Sequence, residues 1–208
     1  MALKDWLRGQ KQPPLNVVGC REHRALAGEV SRRSVTLVRD TAHLVPVRLP
    51  PKARVAVVVP RPEDLTPADT SSYLIPALAS AIKRHHPRTE QFLIPMNPSL
   101  SEVRALRRKL SAYDLAILGT INAPAHPGQA ALVKSVVEQG TATIAVALRM
   151  PYDLTAYPAV PTYACTYTIL PPSMEALADA LWGRIPFVGQ LPVSIPGSLE
   201  AAGQAGTN

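Results

Sequence analysis

Hydrophobic residues along the chain fall into short continuous runs, separated by stretches with helical spacing. Residues 54–59 (RVAVVV) are apolar at nearly every position, so a strand there has both faces buried, as in a parallel sheet covered by helices. Residues 114–121 (DLAILGTI) and 143–148 (TIAVAL) repeat the pattern. Residues 91–95 and 163–168 predict two further strands, and Val35-Thr36-Leu37-Val38 forms a short β-branched run. Residues 190–195 predict a last edge strand, where Pro192 is tolerated because an edge residue needs no ladder donor.

Between these runs the spacing changes to that of helices. Residues 3–7 predict a short helix, and 22–34 a longer one with Leu26, Val30 and Ala27 facing inward. A helix is expected over 69–85, which Pro76 either kinks or truly starts. Ser99-x-x-Glu102 is a capping-box pattern opening a helix to Leu110, with Val103, Leu106 and Leu110 on one face. Residues 126–139 end at Gly140, and Ser173 is expected to cap a helix that runs to Trp182 and stops at Gly183.

Strands alternating with helices predict an α/β fold: a three-layer sandwich with a mostly parallel sheet of five to six strands and helices on both faces. The expected division is an interdomain segment over 1–17, one domain over 18–196, and a small, polar, disordered tail over 197–208.

Charge adds one question. Twenty-two Lys and Arg against fifteen Asp and Glu leave a formal net charge of +7, which raises nucleic acid as a partner. The positives are scattered over helix faces (Arg32 and Arg33, Lys83 and Arg84, Arg104 with Arg107, Arg108 and Lys109), and aromatics are few. No stacking platform is visible, so no nucleic acid partner is expected. The first ten residues lack the apolar core of a signal peptide, and no stretch approaches the roughly 20 apolar residues of a membrane helix. The expectation is a cytoplasmic chain with no membrane partner. Cys20 and Cys165 stand alone, without a CxxC or a nearby histidine pair, and read as free thiols; no metal and no cofactor are expected.

Familiar catalytic patterns are missing from the sequence. Pro60-Arg61-Pro62 stands where a dinucleotide fold needs glycines, and neither GxxxxGK[ST] nor GxSxG occurs. His85 and His86 are adjacent, so on a helix they point about 100° apart and read as a helix-end pair near the negative dipole end. Glu63 and Asp64 read as surface charges, not as the carboxyl pair that glycoside hydrolysis needs. Ser71, Ser72 and Cys165 are candidate nucleophiles without an identifiable histidine base.

In open α/β sheets ligands sit beyond the carboxyl ends of the strands. Arg61 and Glu63 follow the first strong strand, Asn122 the third and Arg149 the fourth. Asn122 and Arg149 are candidates to present an amide and a guanidinium to one hydroxylated or anionic group. Tyr152 and Asp153 extend the set of ligand- or interface-contacting candidates. The structural alternative has Arg149 anchoring its own loop to Asp153 and Asn122 capping a turn. No catalytic residue is assigned.

Several segments, read in order, resemble the C-terminal domain of family 3 glycoside hydrolases. Residues 31–40, with Ser34-Val35-Thr36-Leu37-Val38-Arg39-Asp40, are similar to that family's entry element. Arg149-Met150-Pro151-Tyr152-Asp153 is similar to its R-x-P-Y-D loop. The closing pattern is matched by Glu175-Ala176-Leu177, Trp182-Gly183 and the run from Gly189 to Pro196. The likeness is closer to the β-N-acetylhexosaminidase branch. It implies a sheet sandwiched by helices and appended to a (β/α)8 barrel, in cis or as a separate chain. It also places the nucleophilic aspartate, and the K-H-F-P-G-H-G and D-S-H neighbourhoods of the acid/base, in that barrel. None of those motifs occurs here, and no residue maps onto the second-domain glutamate of the glucosidase branch. Leu3-Lys4-Asp5-Trp6-Leu7 resembles the end of the connection leaving the barrel. The resemblance therefore implies an accessory domain of a sugar hydrolase that is inactive on its own. A free-standing carbohydrate or small-molecule binding module is the alternative, and a carbohydrate or a homo-oligomer stays open as a partner.

Overall fold

The computed structural model describes residues 2–11, 13–64 and 66–197. Six strands, β1 (Thr36–Asp40), β2 (Val55–Pro60), β3 (Thr89–Ile94), β4 (Leu115–Thr120), β5 (Thr143–Ala147) and β6 (Thr162–Cys165), form one sheet in the order β1-β6-β5-β4-β2-β3. Every neighbouring pair is parallel except β1 and β6, which run antiparallel.

The side-chain alternation of the central strands sorts the core into two layers. Val55, Val57 and Val59, with Leu115, Ile117, Ile144 and Val146, meet α3 (Leu78–Lys83) and α6 (Pro171–Leu181) on one face. Ala56, Val58, Ala116, Leu118, Ala145 and Ala147 meet α4 (Leu100–Leu110) and α5 (Pro127–Glu138) on the other. Because successive residues point to opposite faces, a strand buried on both must be apolar throughout, and β2, β4 and β5 are buried at every position. The α/β sandwich expected from the sequence is the fold observed.

Local signals hold at α4 and α5. Ser99 Oγ accepts from the Glu102 amide at 3.3 Å while Glu102 Oε2 accepts from the Ser99 amide at 2.8 Å, closing the capping box. Gly140, just past α5, takes φ +83°, which glycine adopts without a Cβ penalty.

Four expectations are corrected. The helix at 22–34 exists as α2 (Arg21–Ser34), but Leu26 and Val30 are 62% and 59% exposed and Ala27 is exposed as well. The residue α2 buries is Ser31, whose hydroxyl accepts from Ser173 of α6 at 3.1 Å. Small serines allow the two helices to approach, and the larger side chains turn outward. Ser173 is consequently buried inside the first turn of α6, whose N-cap is Leu170 with Pro171 as the first helical residue. Residues 69–85 are not one helix: a 3-10 turn spans Ser71–Tyr73, and α3 begins only at Leu78. Pro76 lacks an N–H and pushes Ile75 toward an extended backbone, so the helix starts after it. Residues 190–195 form no strand; Leu191 and Ile195 are instead buried in the core layer that contains β6.

His85 and His86 follow α3 and diverge as adjacent residues must. His85 stacks on Trp182 with centroids 5.7 Å apart, and its Nε2 lies 2.9 Å from Asp179 Oδ1, close enough for an ion pair but out of line for a hydrogen bond. His86 is buried with Nε2 2.7 Å from the Ala53 carbonyl, which can only accept, so that nitrogen carries a proton. The first helix, α1 (Ala2–Gly9), buries none of its residues. Apart from Gly197, the expected tail lies outside the described residues. Among those residues no helix is long and apolar enough to cross a membrane.

Candidate functional site

β6, β5 and β4 end side by side, and the chain leaves them through Tyr167, Arg149 and Asn122. The outer two have left-handed backbones, φ +60° at Tyr167 and +54° at Asn122. That region costs an ordinary side chain about 1 kcal/mol or more, and such strain gathers where a site over-determines the backbone. At Asn122 the turn explains it: its carbonyl accepts from the Ala125 amide at 3.0 Å, and asparagine tolerates the conformation. Tyr167 has no such excuse from its residue type. Its ring is half-buried, and its hydroxyl donates to Thr36 Oγ1 of β1 at 3.0 Å.

Arg149 sits directly past β5 with its side chain 23% exposed. Its Nη2 lies 3.3 Å from Asp69 Oδ2 and also donates to Ser71 Oγ. Ser71 in turn donates to Asp69 Oδ1 through its amide at 2.9 Å and its hydroxyl at 2.5 Å. Asp69 and Ser71 belong to the segment after β2, two strands away from β5, so this loop passes over the end of β4 to reach the guanidinium. The strand order reverses between β2 and β4, which places the loop across the crevice where doubly wound sheets hold ligands. The neighbouring Ser72 is clamped in the same way, its amide and hydroxyl each donating to Asp64 at 2.8 Å.

Asp153 does not pair with Arg149. It lies in the 3-10 turn Pro151–Ala156, is 1% exposed, and points inward. Its Oδ2 accepts from Thr120 Oγ1 at 2.6 Å and its Oδ1 from the Ala123 amide at 2.9 Å. Thr120 Oγ1 lies 2.7 Å from Tyr157 OH, which must then be the donor. Burial pushes the Asp153 carboxyl up to about 6, against the two hydrogen bonds that favour its charged form. The same desolvation raises the Tyr157 and Tyr163 phenols and pushes the Cys165 thiol up to about 12. Tyr163 OH donates to the Pro151 carbonyl at 2.8 Å, so the network ties the loops after β4 and β5 to the core. Tyr152 contributes its carbonyl, which accepts from Thr155 Oγ1 at 2.8 Å.

A cleft of about 320 Å³ is walled by Ser71, Leu74, Arg149, Tyr167, Thr168 and Leu170. A second, of about 400 Å³, shares Tyr167 and Thr168 and continues toward Arg33, Ser34 and Gln190. Of the four residues singled out in the sequence, Arg149 faces a cleft, Asn122 shapes a turn, and Asp153 holds the loops beneath. Tyr152 is not among the cleft's lining residues. Asp69, Tyr167 and Thr168 were not predicted, and Ser71 was singled out only as a candidate nucleophile. The pattern Asp69-x-Ser71 is a turn signature that could have marked two of them; the expected long helix concealed it. Ser71 and Ser72 hand their protons to carboxylates and have no imidazole partner among the described residues. Asp69 is engaged by Arg149 and Ser71, and Asp153 by Thr120 and Ala123. Neither carboxyl is free to flank a sugar. Among the described residues no three His, Cys, Asp or Glu side chains gather as a metal site.

No protein-family model and no curated protein sequence matches the chain. Solved structures do. A fungal multi-domain GH3 β-N-acetylglucosaminidase with a GCN5-related glucosamine N-acetyltransferase region is similar at TM-score 0.76 and 24% identity, over 92% of this chain and 21% of that one. A glycoside hydrolase family 3 β-N-acetylglucosaminidase from Paenibacillus sp. is similar at TM-score 0.72 and 25% identity, over 88% of this chain and 34% of that one. A β-glucosidase from Listeria innocua shares the fold at TM-score 0.70 and 17% identity, covering 93% and 30%. The chain thus has the α/β fold of the C-terminal region of family 3 β-N-acetylglucosaminidases and β-glucosidases, and spans 21–34% of the length of these enzymes.

Proposed function

We propose that this chain is the accessory, non-catalytic C-terminal domain of a glycoside hydrolase resembling the family 3 β-N-acetylhexosaminidases. The bond-breaking residues then belong to a (β/α)8 barrel, in cis or on a separate chain. The observation that carries this is the coverage: a fold match over 92% of the chain accounts for only 21% of the β-N-acetylglucosaminidase it resembles. The engaged carboxyls at the sheet's edge agree with chemistry housed elsewhere. The apolar residues that α1 and α2 leave exposed, Leu3, Trp6, Leu7, Leu26 and Val30, supply a face for a barrel or for a second copy of the chain. Two free cysteines fit a reducing, cytoplasmic compartment.

Purified alone, the chain should not hydrolyse a chromogenic N-acetylglucosaminide, and turnover that survives re-purification would overturn the assignment. Co-expressed with a barrel chain encoded beside it, it should elute as one complex that does turn over. The second reading, a free-standing carbohydrate or small-molecule module, is favoured by the cleft at Arg149. It predicts heat on titration with N-acetylglucosamine and no complex with a barrel.

A further inference from the structure

We propose that α1 is an exchange arm: in a weak dimer of this chain, the α1 of each copy seats Trp6 in an apolar cleft of the other. The cleft, about 280 Å³, lies between the last turns of α5 and the segment that leads into β6. Val133, Val137, Tyr157 and Pro158 line it, and the exposed Lys134 and Glu138 stand on its rim. It opens where β5 and β6 begin, at the opposite edge of the sheet from Arg149 and Tyr167. Arg39 of β1 fixes the wall facing α5, donating through Nη1 to the carbonyls of Pro158 and Val160, the latter at 3.2 Å. The cleft is thus formed before anything enters it.

The chain itself supplies the occupant. Leu3, Trp6 and Leu7 of α1 share one side at helical spacing, and no residue of the helix is buried in its own domain. Size favours a side chain over a free ligand: drug-sized molecules take clefts of about 300–1,000 Å³, whereas this one suits an indole with an aliphatic neighbour. Charge then sets the orientation. Arg8 is paired with Asp5 at 3.4 Å, but Lys4, which borders the apolar side next to Leu7, has no ion-pair partner among the described residues. Glu138 has none among them either. With Trp6 in the cleft, the free cation of α1 meets the carboxylate on the rim. Pro13-Pro14, in the connection from α1 to α2, favours an extended chain that lets the arm leave its own domain. Such an exchange is isologous, closes at two copies and makes every contact twice. A buried tryptophan covers roughly 150–250 Å². Two arms therefore stay near the low end of the about 1,200–2,000 Å² of specific interfaces, which gives a Kd on the order of 100 µM.

The test is sedimentation equilibrium of the full chain from about 5 µM to 1 mM, a range that brackets the expected Kd. The mass should rise from monomer to dimer and no further, and iodide should lose access to Trp6 over the same range. Trp6→Ala removes the anchor from a helix that buries nothing, so the domain still folds, and should weaken the dimer about tenfold or more. Lys4→Glu and Glu138→Lys should each weaken it about fivefold by setting like charges together at both contacts, and the two combined should restore it. A mass that stays monomeric to 1 mM, open-ended growth beyond the dimer, a dimer indifferent to Trp6→Ala, or a double charge reversal no better than the single ones would each overturn the exchange. So would a monomer whose Trp6 becomes shielded only on phosphatidylglycerol vesicles or only in complex with a barrel chain, since either result gives α1 to another surface. The accessory-domain reading survives all of these outcomes, because it needs no dimer.

Discussion

Asparagine at position 153 isolates what a buried carboxyl does under the loops of the carboxyl edge. Asp153 is 1% exposed, and burial raises its folded-state midpoint from 3.8 to about 6. The folded protein therefore holds the proton more tightly than the unfolded chain. The stabilisation from that proton is fully present below about pH 4 and is lost as pH rises through about 6. At about 1.4 kcal/mol per pH unit the loss amounts to roughly 3 kcal/mol between pH 4 and 7. Asp153→Asn removes this titration. Its amide oxygen keeps the Ala123 N–H, while Thr120 must turn to accept from the new amide, forfeiting about 1 kcal/mol. Denaturant unfolding followed by circular dichroism from pH 4 to 7.5 should show the wild type more stable than the variant at the acid end. The gap should close, and reverse, as pH rises. Parallel curves, or a wild type that gains on the variant with increasing pH, would refute the account of Asp153 as a carboxyl that burial disfavours in its charged form.

Gly128→Ala should destabilise the fold by about 3 kcal/mol or more, because a Cβ there would stand 2.0 Å from the Pro98 carbonyl oxygen, a backbone atom that cannot swing aside; thermal unfolding measures it. Ellman's reagent should titrate one thiol in the native chain and two after denaturation, since Cys165 is buried with its thiol pushed up to about 12 while Cys20 is only half-buried. Trp6, 59% exposed on α1, should account for most of the iodide-quenchable fluorescence, and Trp6→Phe should leave only the emission of Trp182, which is stacked on His85. A shielded Trp6 in the monomer would mean that α1 packs against its own domain.

The layers of the fold were legible because β2, β4 and β5 are buried on both sides, and a strand with two core faces has to be apolar at every step. The capping box at Ser99 was legible for a similar reason: two side chains three residues apart satisfy each other's backbone, whatever lies beyond. Helical spacing at Leu26 and Val30 marks an apolar face but says nothing about what covers it. Here the chain's own core takes the opposite face, through Ser31, because only a small residue lets α2 sit close to α6. The places of Arg149 and Asn122 follow from where β5 and β4 stop, whereas that of Tyr167 depends on a strand ending at Cys165, two residues before it, and on a left-handed turn that tyrosine rarely adopts. The partner of Arg149 was misjudged because Asp153 is near in sequence. Asp69, eighty positions away, reaches it over the end of an intervening strand.

Helix α2 contributes both to a cleft beside Tyr167 and to the exposed apolar residues of the domain. Arg33 and Val30 of that helix line the second cleft, while Leu26, one turn earlier, is exposed, as are Leu15 and Val18. An eight-residue helix such as α1 is marginal in water unless it packs on something, and its Leu3, Trp6 and Leu7 fall on one side at helical spacing. A partner that covered Leu26 and Val30 would approach along the same helix that walls the second cleft. Two carboxyls near the strand ends are engaged within the domain, Asp69 by Arg149 and Asp153 by Thr120.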